Sequence, residues 1–209
     1  MRMLDNYKVI LWDFDGVILD SMAVRDLGFE KVLSEYPKEQ VEALLHYHRA
    51  NGGLSRYVKF RYFFEQIRNE TVSEKQVREL ANEFSVIMLN LLAHKELLFK
   101  DTLLFIRTYF ERFKFHIVSG SDGNELRTLC SRLEIDKYFL SIEGSPTAKN
   151  DLVRELLKIN KYENDEVCLI GDSKNDLEAA ETNHIDFFGY NNTELMEGNY
   201  VSNFAKFCI

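Results

Sequence analysis

Asp13 and Asp15 stand two residues apart, directly after the apolar run Lys8 to Trp12, and Gly16 follows them as a turn residue. Ser119, Gly120 and Ser121 follow a second apolar run, Lys114 to Val118. Lys149 comes soon after a third such run, Tyr138 to Ile142, and Gly171, Asp172, Ser173 and Asp176 follow a fourth, Glu166 to Ile170. Carboxylates gathered in one site repel and raise one another's pKa. A hard divalent cation removes that repulsion, and Mg²⁺ suits carboxylate and carbonyl oxygens completed by water. The lysine, the hydroxyl and the free backbone N–H groups are donors suited to a phosphoryl group. One carboxylate can then serve as a nucleophile through an aspartyl-phosphate. A second, two residues on, can protonate the leaving oxygen and afterwards activate water.

That chemistry requires the four groups to meet. The apolar runs alternate with amphipathic helical stretches over 101–112, 122–134, 150–160 and 174–183, and Ile185 to Tyr190 gives a further strand. Such alternation implies parallel βαβ units, hence an α/β fold with a Rossmann-like parallel sheet. In an open parallel sheet, ligands bind at the carboxyl ends of the strands, where every one of these residues falls. The block after the first strand breaks the alternation. Helices are expected over 22–36, 38–50, 54–68 and 73–95, with Pro37 and Asn51-Gly52-Gly53 as breaks and Ser73-Glu74-Lys75-Gln76 as a capping box. The organisation is therefore core over 1–20, an inserted all-helical cap over 21–97, and the rest of the core over 98–209. The tail, 198–209, gives no clear signal.

Composition narrows the function. The 209 residues are 45% hydrophobic, enough for a packed core. Lys and Arg number 26 against 34 Asp and Glu, a net charge of −8, which disfavours nucleic acid and anionic lipid as partners. No run of apolar residues is long enough to span a membrane. Cys130, Cys168 and Cys208 are scattered without a CxxC, as in a reduced, cytoplasmic chain.

Taken together, Asp13-Phe14-Asp15-Gly16-Val17, then Ser119, then Lys149, then Gly171-Asp172-Ser173-Lys174-Asn175-Asp176 resemble the four ordered motifs of the haloacid dehalogenase superfamily. The resemblance covers the whole chain and is to phosphatases with a helical cap after the first strand, the phosphoglycolate phosphatase and β-phosphoglucomutase-like subgroup. It implies Asp13 as nucleophile and metal ligand, and Asp15 as general acid/base with its carbonyl on Mg²⁺. Ser119, Gly120 and Ser121 would hold the phosphoryl group, Lys149 would bridge it to the nucleophile, and Asp172 would bind the metal. Asp176 would orient Lys149 or metal-bound water. The implied activity is a Mg²⁺-dependent phosphatase acting on a small phosphorylated metabolite. A sugar phosphomutase of the β-phosphoglucomutase type shares these motifs. A receiver-like signalling domain, which also clusters Asp, hydroxyl and Lys, and a non-catalytic binding protein are the readings from another class.

The cap has its own signal. Arg49, Arg56, Lys59, Arg61 and Arg68 face a single acidic residue, Glu65, over 49–68. Arg56 and Lys59 are three apart and share a helix face, close after the glycine pair. They are the candidates for reading an anionic substrate, against the plainer alternative of a solvated face. Phe60, Phe63 and Phe64 read as the buried stripe of the cap. His46 and His48, two apart, do not face each other and suit surface or packing roles rather than a metal.

Overall fold

The structure is a computed structural model that describes residues 4–204. Cys208 lies outside them. Its centre is a six-stranded, wholly parallel sheet. In chain order the strands are β1 (Val9–Trp12), β2 (Lys114–Asp122), β3 (Ser141–Ser145), β4 (Val167–Gly171), β5 (Asp186–Tyr190) and β6 (Tyr200–Val201). Their spatial order is β3-β2-β1-β4-β5-β6. The chain builds outward from β1 to one edge and then returns to build the other. The point of reversal lies between β1 and β4, where such sheets open a crevice at their carboxyl ends.

Alternation along β1 explains the two packed faces. Val9 and Leu11 point to one side, against α7 (Lys149–Asn160) and α8 (Lys174–Thr182). Ile10 and Trp12 point to the other, against Phe105 of α5 (Lys100–Tyr109), Phe115 and Phe204. A strand buried on both faces reads as a continuous apolar run, and all four residues of β1 are buried. The remaining core helix is α6 (Gly123–Arg132), whose N-terminus is capped by Asp122.

Between β1 and α5 the chain forms α1 (Met22–Val32), α2 (Lys38–Ala50), α3 (Arg56–Tyr62) and α4 (Glu74–Leu91). Phe29, Phe60, Phe63, Phe64 and Phe84 are the buried aromatic residues that hold this helical block together. Ser73 accepts from the Gln76 N–H at the start of α4. The two chain crossings into and out of the block run side by side, with Asp20 N–H donating to Leu97 O and Phe99 N–H to Ile18 O.

Several elements depart from expectation. The third strand is Ser141–Ser145, three residues later than the apolar run 138–142, because it is a half-buried edge strand of mixed polarity. The strand β2 runs on through Ser119, Gly120 and Ser121, which the sequence places after it, and its register shifts between Val118 and Asp122. The helix expected over 54–68 begins at Arg56 and widens into a π-turn at Phe63–Ile67. The helices expected over 22–36 and 73–95 end at Val32 and Leu91. Within the tail, Tyr200–Val201 adds a short sixth strand.

Candidate active site

Asp13 is carried directly past the end of β1, where its N–H bonds to Ile170 O of β4. Asp172 follows β4, the next strand. Lys149 opens α7 and Asp176 sits in the first turn of α8, held there by a capping box with Ser173. These elements bring one carboxylate oxygen each from Asp13, Asp172 and Asp176 to within 4.8 Å of one another. Lys149 Nζ donates to Asp13 Oδ1 at 2.8 Å and makes a shorter contact with Asp176 Oδ1. The other oxygen of Asp176 accepts from the Ser173 N–H at 3.0 Å and from its hydroxyl at 2.7 Å. Asp176 is thus spent on holding Lys149 and the helix start.

Gly16 makes this packing possible. Its φ is +76°, and a Cβ there would lie 2.0 Å from Asp172 Oδ2. A side chain at this turn would be strained and would displace the carboxylate.

The electrostatics of the cluster ask for a cation. Burial and then the charge of Asp176 push the Asp13 carboxyl up, and burial and then Asp13 push Asp172 up. Lys149 is raised: burial would lower it, but Asp13 and Asp176 outweigh that. Were all three carboxyls ionised, one ammonium would leave two negative charges. A hard divalent ion with oxygen ligands fits that donor set and that charge.

Asp15 stands apart from the cluster. Its Oδ1 accepts from Arg25 Nε at 2.6 Å and from the Ser21 hydroxyl, and its Oδ2 accepts from the Ser121 hydroxyl at 2.5 Å. Burial would raise its pKa, but the charge of Arg25 and these three donors hold it below its ordinary value. Ser121 is therefore occupied by Asp15. Ser119 is buried and its oxygen accepts from the Ser121 N–H at 3.2 Å.

Arg56 and Lys59 do reach this place. They line the same cavity as Asp13, Asp15, Ser119 and Arg25, of about 30 Å³. Both are buried, which corrects the reading of a solvated face. Arg56 Nη1 donates to Glu125 Oε2 at 2.5 Å and to the Ser85 hydroxyl at 2.7 Å, while its Nη2 is buried without a hydrogen-bond partner. Lys59 Nζ lies 2.8 Å from His48 Nδ1 and 3.2 Å from Gly52 O. Burial and then the charge of Arg25 lower Lys59 to about 7. His48 packs on Phe29, whereas His46 is exposed. The cap comes so close that a Cβ on Gly120 would lie 2.1 Å from Gly53 O.

Sequence reasoning missed Arg25 and Glu125. A signal for the arginine existed: it occupies the buried stripe of α1 with Gly28, Phe29 and Val32.

Known proteins resemble this chain over most of its length. The sequence profile of haloacid dehalogenase-like hydrolases matches residues 10–190. No curated protein matches the sequence. Among solved structures, β-phosphoglucomutase from Clostridium difficile is 15% identical with a TM-score of 0.77, covering 97% of this chain and 94% of that one. CbbY from Rhodobacter sphaeroides, a mutant in complex with xylulose-(1,5)bisphosphate, is 14% identical with a TM-score of 0.77, covering 96% of each chain. A haloacid dehalogenase-like family hydrolase from Streptococcus pneumoniae is 17% identical with a TM-score of 0.69, covering 94% of this chain and 93% of that one.

Proposed function

Because the chain belongs to the haloacid dehalogenase-like hydrolase family, we propose that it is a Mg²⁺-dependent phosphatase that cleaves a small phosphorylated metabolite through an aspartyl-phosphate. The observation that carries this reading is the meeting of Asp13, Asp172, Asp176 and Lys149 at one rim of the sheet, under a cavity lined by cationic cap residues. An Asp13 oxygen attacks phosphorus. The ester P–O bond breaks, and its electron pair passes to the leaving oxygen, which takes a proton from Asp15. Water then attacks the same phosphorus, gives its proton to Asp15, and restores Asp13. The Ser119 hydroxyl and the Gly120 N–H hold phosphoryl oxygens, with Ser121 holding Asp15 beside them, and Lys149 offsets charge in the transition state. Mg²⁺ held by Asp13, Asp172 and the Asp15 carbonyl would supply the charge that lets the carboxylates ionise together. In the arrangement described, Asp15 is ionised and held by three donors. To act as the acid it must first take up a proton from solvent as the substrate binds, which requires that one of these donors let go.

Residues 21–97 act as a cap that opens and closes over the site. The cavity of about 30 Å³ is far below the several hundred Å³ of ordinary ligand pockets, so substrate entry requires the cap to lift. Hinges are placed at Asp20-Ser21 and between Leu97 and Asp101, where the chain crossings pair. The substrate carries a second anionic group, carboxylate or phosphate, received by Arg56 and Lys59. The bisphosphate bound by the Rhodobacter protein agrees with such a ligand. The buried free thiols of Cys130 and Cys168 suit the cytoplasm, and no described helix is long and apolar enough to cross a membrane.

The test is phosphate release from a panel of phosphorylated metabolites, with Mg²⁺ and with chelator. Mg²⁺-dependent release of free phosphate from doubly anionic monoesters is expected. Phosphorus NMR showing an isomerised sugar phosphate instead would make the chain a mutase. No turnover with any monoester would remove the phosphatase reading.

A further inference from the structure

The start of α6, in the core, carries two carboxylates that reach across to the cap, Asp122 as its N-cap and Glu125 in its first turn. Asp122 accepts the Tyr57 hydroxyl at 2.7 Å while it caps the helix. Glu125, whose side chain is wholly buried, accepts from two cap arginines at once. Arg25 Nη1 lies 3.1 Å from its Oε1, and Arg56 Nη1 lies 2.5 Å from its Oε2. Arg25 in turn places Nε 2.6 Å from Asp15 Oδ1. A line of alternating charge, Asp15, Arg25, Glu125, Arg56, thus runs from the site into the cap. Glu125 takes no part in the two displacements and touches Asp15 only through Arg25.

A guanidinium tends to take a carboxylate with two parallel N–H groups, the strongest pairing available to it. Arg25 does not do this to Asp15. It offers Nε to Asp15 while Nη1 goes to Glu125, and its buried Nη2 has no hydrogen-bond partner. The other two donors on Asp15 are the hydroxyls of Ser21 and Ser121, which turn easily. We infer that Glu125 is a positioning residue: by sharing Arg25 it prevents a two-pronged grip on Asp15 and leaves that side chain free to reach the leaving oxygen. The inference rests on the phosphatase reading, with the ester P–O bond breaking as Asp13 bonds to phosphorus and Asp15 gives its proton to the departing oxygen.

Leaving groups separate this role from a merely structural one. Ethyl phosphate releases an alkoxide that needs the proton, whereas p-nitrophenyl phosphate releases a phenolate that does not. The comparison uses kcat/KM, which counts only steps up to P–O cleavage. Glu125→Gln should lower kcat/KM for ethyl phosphate at least about tenfold more than for p-nitrophenyl phosphate, within the range of general acid effects. Tyr57→Phe, which cuts the neighbouring core–cap bond and leaves the arginines in place, should change both esters by the same factor. The ratio of the two esters is taken on one sample, so it does not depend on the fraction folded. Should Glu125→Gln give no active protein, Glu125→Asp, which withdraws the carboxylate by one methylene, is read by the same ratio. An unchanged ratio overturns the positioning role. A wild-type chain inert toward these esters and toward every monoester of the metabolite panel overturns the phosphatase reading itself, and this inference with it.

Discussion

The rim of the sheet and the lining of the cap face each other across one small cavity with opposite charge. On the rim, three carboxylates share one ammonium, and burial makes the excess negative charge costly. On the cap, Arg25, Arg56 and Lys59 are buried together, with Glu125 reaching in from the core between the two arginines. The rim is short of a cation and the cap lining is short of an anion. A divalent cation would satisfy the rim, and the two anionic groups of the proposed substrate would then meet that cation on one side and the cap lining on the other. The two sides also differ in construction. The rim is fixed by strand ends and helix starts, while the two arginines of the cap lining are held in part by core carboxylates across the interface. Damage to the rim should therefore strike the chemical step, and damage to the cap should strike substrate choice.

The largest effect is expected at the nucleophile. Asp13→Asn should lower kcat by at least about a thousandfold, measured as phosphate release. Its melting temperature should hold or rise, because one carboxylate leaves a crowded cluster. Lys149→Met should follow, with a kcat loss of about 10²–10³. Unlike Asp13→Asn, it should also destabilise the fold, by about 3–5 kcal/mol in chemical denaturation, because Asp13 and Asp176 lose their buried partner. Equal stability of these two variants would contradict a rim with too many carboxylates for its one ammonium.

On the cap side the pattern should reverse. Arg56→Gln should raise KM for a doubly anionic ester about tenfold, the scale of one charge-assisted hydrogen bond, with a smaller change in kcat. Lys59→Met should weaken binding of the same ester yet stabilise the fold at neutral pH by about 1–4 kcal/mol. The sign follows from burial. Lys59 titrates at about 7 when folded against 10.5 ordinarily, so the unfolded chain binds the proton more readily. Stability of the wild type should rise as pH climbs from 7 toward 10.5, and Lys59→Met should flatten that rise. The smallest effect lies outside the site. Burial, and then Lys114, lower His116 to about 4 against an ordinary 6.5. Its contribution is present above pH 6.5 and lost as pH falls toward 4. Between pH 7 and 5 the wild type should lose about 1–2 kcal/mol more than His116→Phe, read from urea midpoints.

The same difference in construction decides what the sequence makes legible. Asp13 and Asp172 directly follow apolar runs, and Lys149 and Asp176 fall in first helical turns, so the fold rule for parallel sheets points to all of them. Edge strands obscure themselves: Ser141–Ser145 is polar because it is half exposed. Ser119 to Ser121 read as a loop because no periodicity betrays a shifted register. Glu125 and Arg25 are separated by 100 positions along the chain, and no local pattern announces a contact made only on folding. Arg56 and Lys59 were legible as basic residues on one face, but their burial was not, since it depends on where the cap sits.

On the proposed mechanism Asp13 becomes phosphorylated during turnover. Rapid acid quenching during turnover, followed by peptide mass spectrometry, tests it most directly. One added phosphoryl group is expected on the peptide carrying Asp13, formed with Mg²⁺ and missing in Asp13→Asn. Steady phosphate release with no phosphoryl group on that peptide, or with Asp13→Asn still turning over at most of the wild-type rate, would contradict it.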